Sequence, residues 1–246
     1  MWKRIWEKVE PFRPPLPGDQ PEVFPGAGDR VVLLHGLWRS HKAMALIGRD
    51  LNANGFEVVN VPYRSFVDPL DDIVDQVRGH LERLAPKATH FVTHSMGGIV
   101  VRRMAQRFPE LVQGRVVMLA PPNHGSEVMD WLSDVPGIRW VLGPGGLALG
   151  TQEVVQELPS GTPSPETAVI MGCRSINPVF RQFLPGDNDG TVTVEGGRLD
   201  DLEHFSVCEV GHARVMLQPE VVDLVRAFLQ EGRFSEKQSP VGEKSA

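Results

Sequence analysis

Apolar and polar positions alternate along this chain in two registers, and the register switches at regular intervals. Val31 to Leu34 is an unbroken apolar run of the kind that fills a strand buried on both faces. A helical stretch from about Lys42 to Asn52 comes next, with Ala43, Leu46, Ile47 and Leu51 at helical spacing. Gly55 ends it, and Phe56 to Val61 reads as the next strand. Asp68 is then expected as an N-cap with Pro69 at the first helical position. Leu70, Ile73, Val74, Val77, Leu81 and Leu84 mark one apolar face of the ensuing helix. Phe91 to Thr93, a small-residue-rich helix from Gly97 to Phe108, and Arg115 to Ala120 continue the strand–helix–strand order. Thr167 to Gly172 and Phe205 to Val210 read as later strands, and Val221 to Leu229 as a closing helix. Alternation of this kind predicts an α/β fold with a mostly parallel sheet and helices on both faces.

Three stretches depart from it. Residues 1–28 form a Pro-rich lead-in, with Pro11, Pro14, Pro15, Pro17, Pro21 and Pro25 among several glycines. Residues 121–165 interrupt the alternation with Trp131, Trp140 and several leucines among glycines and prolines. An insertion there sits beside the carboxyl ends of the strands, where open α/β sheets bind ligands. It is expected to act as a lid or acyl-chain pocket, the alternative being helices that cover a sheet edge. Residues 233–246 are polar without periodicity and read as a disordered tail. One domain over 29–232 is expected between these ends.

Composition narrows the function. Hydrophobic residues are 41% and charged residues 23%, ordinary for a soluble globular protein. A formal net charge of −6 argues against a nucleic-acid partner, which requires a basic face to displace counterions. Cys173 and Cys208 are too few for a disulfide framework or a zinc site. A bridge between them would need Cα atoms within about 7 Å; two free thiols are the expectation. No run approaches the roughly 18 apolar residues of a membrane span. With Met1 as the start and no apolar run of secretory length after it, the cytoplasm is the expected compartment. Trp2, Ile5, Trp6 and Val9 would share one face of a short helix, either a weak membrane-surface contact or a helix docked on the protein itself.

The chemistry is concentrated in four short segments. Phe91-Val-Thr-His-Ser-Met-Gly-Gly98 is a hydrophobic strand ending in a tight turn that carries Ser95 and opens directly into a helix. Arg30-Val-Val-Leu-Leu-His-Gly-Leu37 is a strand ending in His-Gly. Asp189-Gly-Thr-Val192 lies after the strand at Thr167 to Gly172, and Val210-Gly-His-Ala213 after the strand at Phe205. Together these resemble the α/β-hydrolase superfamily, and within it the serine lipases and esterases, over roughly Arg30 to Leu229. Bacterial triacylglycerol lipases and GPI inositol-deacylase-like hydrolases look nearest, from the Ser95 turn and Pro121-Pro-Asn-His-Gly-Ser126.

A serine hydroxyl needs a base in hydrogen-bond reach and a third group to orient that base. The resemblance places these in the order serine, acid, histidine: Ser95, Asp189 and His212. Asp187 is the second candidate for the acid, better suited to capping a turn. Asp-Asn-Asp-Gly also resembles the start of a calcium loop, but the remaining ligand positions are missing, so no metal is expected. His204 competes with His212 as the base. Eight residues separate them, roughly 26 Å of extended chain, so only one can stand at the carboxyl edge beside Ser95, and His212 is at that end. His35, His94 and His124 are expected to shape turns, and His41, His80 and His90 to hold surface or core positions. The resemblance implies backbone N–H donors at Leu37 and Met96 for an oxyanion, and Trp38, Trp131 and Trp140 are candidates for substrate contact. The usual turn is Gly-x-Ser-x-Gly. Thr93 replaces its first glycine here, a larger β-branched residue where helix and strand pass closely.

The expected activity is carboxylic ester hydrolysis of a lipid-like or other acyl ester through an acyl-enzyme, with no cofactor. An acyltransferase, a thioesterase or amidase, and a non-catalytic lipid-binding relative are the alternatives.

Overall fold

The computed structural model describes Leu16 and residues 19–175 and 184–234. The amphipathic face of Trp2 to Val9 lies outside these residues, as does the tail beyond Phe234.

Seven strands form one sheet: β1 (Glu22–Phe24), β2 (Arg30–Leu34), β3 (Glu57–Asn60), β4 (Thr89–His94), β5 (Val116–Leu119), β6 (Thr167–Gly172) and β7 (His204–Cys208), in the spatial order β1-β3-β2-β4-β5-β6-β7. Every pairing is parallel except β1 with β3. From β2 the chain steps to β3 on one side, then returns past β2 to β4 on the other. The gap between the carboxyl ends of β2 and β4 is therefore the switch point where such sheets bind ligands.

Buried strands and amphipathic helices dictate the layers. Val31 to Leu34 are all fully buried, and successive side chains of β2 point to opposite faces. Val32 and Leu34 join a core under α2 (Leu70–Leu81) and α3 (Met96–Arg107). Val31 and Leu33 join a second core under α1 (Ala45–Ala53) and α7 (Pro219–Glu231). The helical stripe of α2 is buried as its spacing predicts, at Leu70, Ile73, Val74, Val77 and Leu81. The insertion forms α4 (Glu127–Asp134), α5 (Ile138–Leu147) and α6 (Thr151–Glu157) at the carboxyl edge of the sheet. Gly143 breaks α5, just before Pro144.

Four expectations are corrected. β1 lies within what reads as lead-in, and extends the sheet by an antiparallel edge strand. Asp68 does not cap α2, whose N-cap is Pro69. Its carboxylate instead accepts hydrogen bonds from the Arg64 guanidinium at 2.6 and 3.0 Å and from Gln76 Nε2 at 2.8 Å. The strand before His212 runs from His204 to Cys208 and so stops short of the expected Val210. Phe234, the second residue of the expected tail, packs on Phe228 and His204 in the second core. Cys173 and Cys208 are free thiols, and burial pushes the Cys208 thiol up to about 12. Among the described residues, no helix is long and apolar enough to cross a membrane.

Candidate active site

The site is built where β2, β4 and β5 end, and the backbone is strained at each. Trp38, Ser95 and Ala120 are, among the described residues, the non-glycine positions with positive φ, at 54°, 52° and 47°. Conformations of this kind cost on the order of 1–3 kcal/mol each and persist only where their surroundings hold them. Ser95 is held from both sides. Its N–H donates to Leu119 O of β5 at 2.8 Å, and its carbonyl accepts from Gly98 N at 2.8 Å. The turn aims the hydroxyl away from the sheet at the start of α3.

Close approach explains the glycines around it. A Cβ on Gly97 would sit 2.5 Å from Leu34 O, so only glycine lets α3 cross the end of β2. A Cβ on Gly36 would meet His94 Nδ1 at 2.8 Å and Ser95 Cβ at 3.1 Å. Thr93, in place of the usual glycine, is accommodated: it is fully buried, and its hydroxyl lies 3.6 Å from where a Cβ on Gly98 would be. A second small residue on the helix leaves the room that the strand residue takes.

The candidate acid and base arrive on the loops after β6 and β7. Ser95 Oγ donates to His212 Nε2 at 2.9 Å, and His212 Nδ1 donates to Asp189 Oδ2 at 2.7 Å. Asp189 is in turn fixed. Its Oδ1 accepts from Thr191 N at 2.9 Å and Val192 N at 2.8 Å, while its carbonyl accepts from His212 N at 3.0 Å. The Asp189 side chain is fully buried. Asp187 holds no such position; its carbonyl accepts from Val194 N within the same loop. His204 stands at the far end of β7, packed edge-on against Phe228.

Two further histidines brace this arrangement, both neutral. His94 Nε2 donates to His212 O at 3.1 Å, and complete burial beside His212 holds its pKa well below the ordinary value. His35 Nδ1 donates to Gly36 O at 2.9 Å, and burial lowers its pKa to about 4. Its ring stacks on Tyr63 at 4.0 Å between centroids, and the Tyr63 hydroxyl donates to its carbonyl. That stack stiffens the turn carrying Leu37. Among the described residues, the N–H groups of Leu37 and Met96 take part in none of the backbone hydrogen bonds of the turns and loops. His124 serves the insertion, its Nε2 donating to Arg198 O at 3.0 Å.

Ser95 and His212 open into a cavity of about 340 Å³. Leu37, Val128, Met129, Leu132, Leu149 and Val192 make most of its wall apolar, and Trp38 and Arg39 also line it. The insertion therefore contributes directly to this chamber, through α4 and the turn after α5. Trp131 and Trp140 do not line it; Trp140 is 89% exposed. In this insertion the cavity-facing positions go to Val128, Met129 and Leu132.

Sequence reading also passed over Arg102. It projects from α3, is 4% exposed, and donates to Asn123 O at 2.7 Å and Pro159 O at 2.5 Å. One guanidinium thus ties both ends of the insertion to the helix that carries Ser95. Burial lowers its pKa to about 10, so it stays charged at neutral pH. The signal was a cation four residues after Gly98 on the buried face of α3.

The arrangement is able to deprotonate a serine, store the proton on an imidazole and hold an apolar group beside it. Known proteins agree with the architecture. The mature lipase BlEst2 of Bacillus licheniformis superposes with a TM-score of 0.65 at 19% identity, over 81% of this chain and 94% of that one. An esterase of Exiguobacterium antarcticum superposes with a TM-score of 0.61 at 13% identity, over 86% and 95%. At these identities the likeness is one of fold. The pimeloyl-[acyl-carrier protein] methyl ester esterase of Shewanella woodyi is 30% identical over 98 residues, which are 39% of this chain and 38% of that protein. The sequence model of the alpha/beta hydrolase family matches residues 31–223, and with most of the chain inside that match, the protein belongs to the alpha/beta hydrolase family.

Proposed function

We propose that the protein hydrolyses carboxylic esters of apolar acids, with Ser95 as nucleophile, His212 as base and Asp189 as the group that orients it. The observation that carries this reading is the unbroken relay from Ser95 Oγ through His212 to Asp189, opening into an apolar chamber. The acyl chain lies in that chamber under α4 and the turn after α5, which act as a cap. Ser95 Oγ attacks the ester carbonyl as its proton passes to His212 Nε2. Asp189, held by two amides, keeps the Nδ1 proton facing it and stabilises the imidazolium. The carbonyl oxygen, now anionic, sits between the N–H groups of Leu37 and Met96, each worth roughly 10²–10³ in rate at such sites. The intermediate collapses, His212 returns the proton to the departing alkoxide, and the acyl group stays on Ser95. Water deprotonated by His212 then repeats the sequence and frees the acid. These steps ask for no cofactor.

The test is hydrolysis of p-nitrophenyl esters from acetate to palmitate by the intact chain and by Ser95→Ala. Ser95-dependent turnover that rises with chain length, up to the capacity of the chamber, is the expected result. Turnover that persists in Ser95→Ala overturns the assignment of the nucleophile. Absence of Ser95-dependent hydrolysis at every length overturns the ester reading and favours transfer to another acceptor or an amide substrate.

A further inference from the structure

A second cavity, of about 620 Å³, also has His212 and Thr191 in its wall, so these two residues separate it from the apolar chamber. The second one differs in chemistry. Arg174 and Arg214 line it, both exposed, together with Gln218 and Glu209. Its other carboxylate, Asp189, is engaged by His212 and two amides. The groove thus holds two guanidiniums, Arg174 and Arg214, beside the Glu209 carboxylate.

Proton transfer says which part of a substrate faces these arginines. His212 must return the serine proton to the departing oxygen, so the alcohol portion lies against the imidazole. An apolar acyl group occupies the 340 Å³ chamber, and the alcohol portion extends along Thr191 and His212 into the wider groove. Guanidinium forks match phosphate and carboxylate oxygens two at a time. We infer that the groove lined by Arg174 and Arg214 is a subsite for an oxyanion, and that the substrate is an ester of an apolar acid with a phosphate- or carboxylate-bearing alcohol. The inference rests on the ester-hydrolase reading. Glu209, in the same groove, and Asp187, which lines a smaller cavity with Arg174, are the acidic groups facing the site. Formally they balance the two guanidiniums, so recognition rests on the guanidinium forks and not on a net positive field.

The experiment compares three esters of one acid: monooctanoylglycerol, its phosphate monoester, and the octanoyl ester of glyceric acid. The readout is the ratio of kcat/KM for each charged ester to that for the neutral one, in the full chain. Its comparison is the double variant Arg174→Gln/Arg214→Gln. The ratio is expected to fall about tenfold or more in the double variant, through KM, as loss of a charge-assisted hydrogen bond implies. It should also fall with added salt, and the two charged esters separate phosphate from carboxylate. Glu209→Gln should raise the ratio. An unchanged ratio in the double variant overturns the subsite. So does a loss carried by Arg39→Gln alone, which would put the anion in the apolar chamber. Calorimetric binding of glycerol phosphate to the same proteins gives a readout independent of turnover. Binding abolished in the double variant, with no ester hydrolysed, would keep the anion site and overturn the ester reading. Ester hydrolysis with neither binding nor discrimination would do the reverse.

Discussion

Replacing Asp189 by asparagine changes one atom of the relay, and the surrounding hydrogen bonds decide its effect. The carboxylate faces donors on both sides: the Thr191 and Val192 amides at 2.9 and 2.8 Å on Oδ1, and His212 Nδ1 at 2.7 Å on Oδ2. An asparagine must present its oxygen to one side and its NH₂ to the other. Turning the NH₂ toward the backbone would set it against two N–H donors, leaving buried groups unpaired at about 1–3 kcal/mol each. The oxygen therefore stays with the amides and the NH₂ faces His212. Nδ1 must then accept, which moves the imidazole proton to Nε2, the atom that has to take the proton of Ser95. A base in the wrong tautomer is expected to lower kcat by roughly 10³–10⁴-fold, with a melting temperature close to the parent because both amides keep their acceptor. Asp189→Ala strips the amides as well, and should lose comparable activity together with measurable stability. Steady-state hydrolysis of p-nitrophenyl butyrate and thermal melts by circular dichroism supply both numbers. Activity of Asp189→Asn within tenfold of the parent would refute the role given to the acid.

Three other outcomes are expected from the geometry. Gly97→Ala places a methyl 2.5 Å from Leu34 O and should destabilise the fold by about 1–3 kcal/mol. Gly79→Ala, in α2 where an added Cβ would meet only the Arg83 side chain at 3.9 Å, should stabilise by about 0.5–1 kcal/mol; urea midpoints of the pair test the contrast. His35 and His94 are neutral in the fold with lowered pKa values, so the unfolded chain binds more protons once pH drops below the ordinary histidine value. Their contribution is complete above pH 6.5 and is lost as pH falls toward about 4, by at most about 1.4 kcal/mol per pH unit for each group. A urea midpoint that is flat over this range contradicts it. Arg102→Leu leaves the Asn123 and Pro159 carbonyls without their donor, at about 1–3 kcal/mol each. Hydrogen exchange should quicken across α4 to α6 before it does in the sheet, and uniform protection would count against the clamp.

Legibility tracked the length of the pattern. The central strands and α2 were readable because buried runs and a long helical stripe repeat often enough to exclude the alternatives. That Ser95 and His212 would lie near one another was legible because each follows the end of an apolar strand, a local event with a local signature, whereas Asp189, well beyond the end of β6, was legible only through its Asp-Gly-x-Val resemblance. β1 was hidden because three residues between Pro21 and Pro25 are too few to display alternation. Asp68 looked like a cap because the sequence shows the residue type but not the Arg64 and Gln76 side chains that compete for it. Which residues of the insertion line the chamber was not legible, because the facing of short helices around a Gly-Pro break is set by tertiary packing. Tyr63, Arg39 and the groove beside His212 depend on contacts between distant segments, which no local pattern encodes.

The clamp at Arg102 has a consequence for how this scaffold diversifies. The chain departs from the sheet at Asn123 and comes back at Pro159, and both points are fastened to the same guanidinium. Whatever lies between is a closed excursion whose end-to-end span is already fixed, so its length and sequence can drift with little strain transmitted to the β-sheet. Since Val128, Met129, Leu132 and Leu149 belong to that excursion, much of the apolar wall of the chamber resides in a replaceable module. Transplanting residues 124–158 from a distant homologue, with Arg102, Asn123 and Pro159 retained, should yield a chimaera that folds around an unaltered serine turn while selecting a different acid.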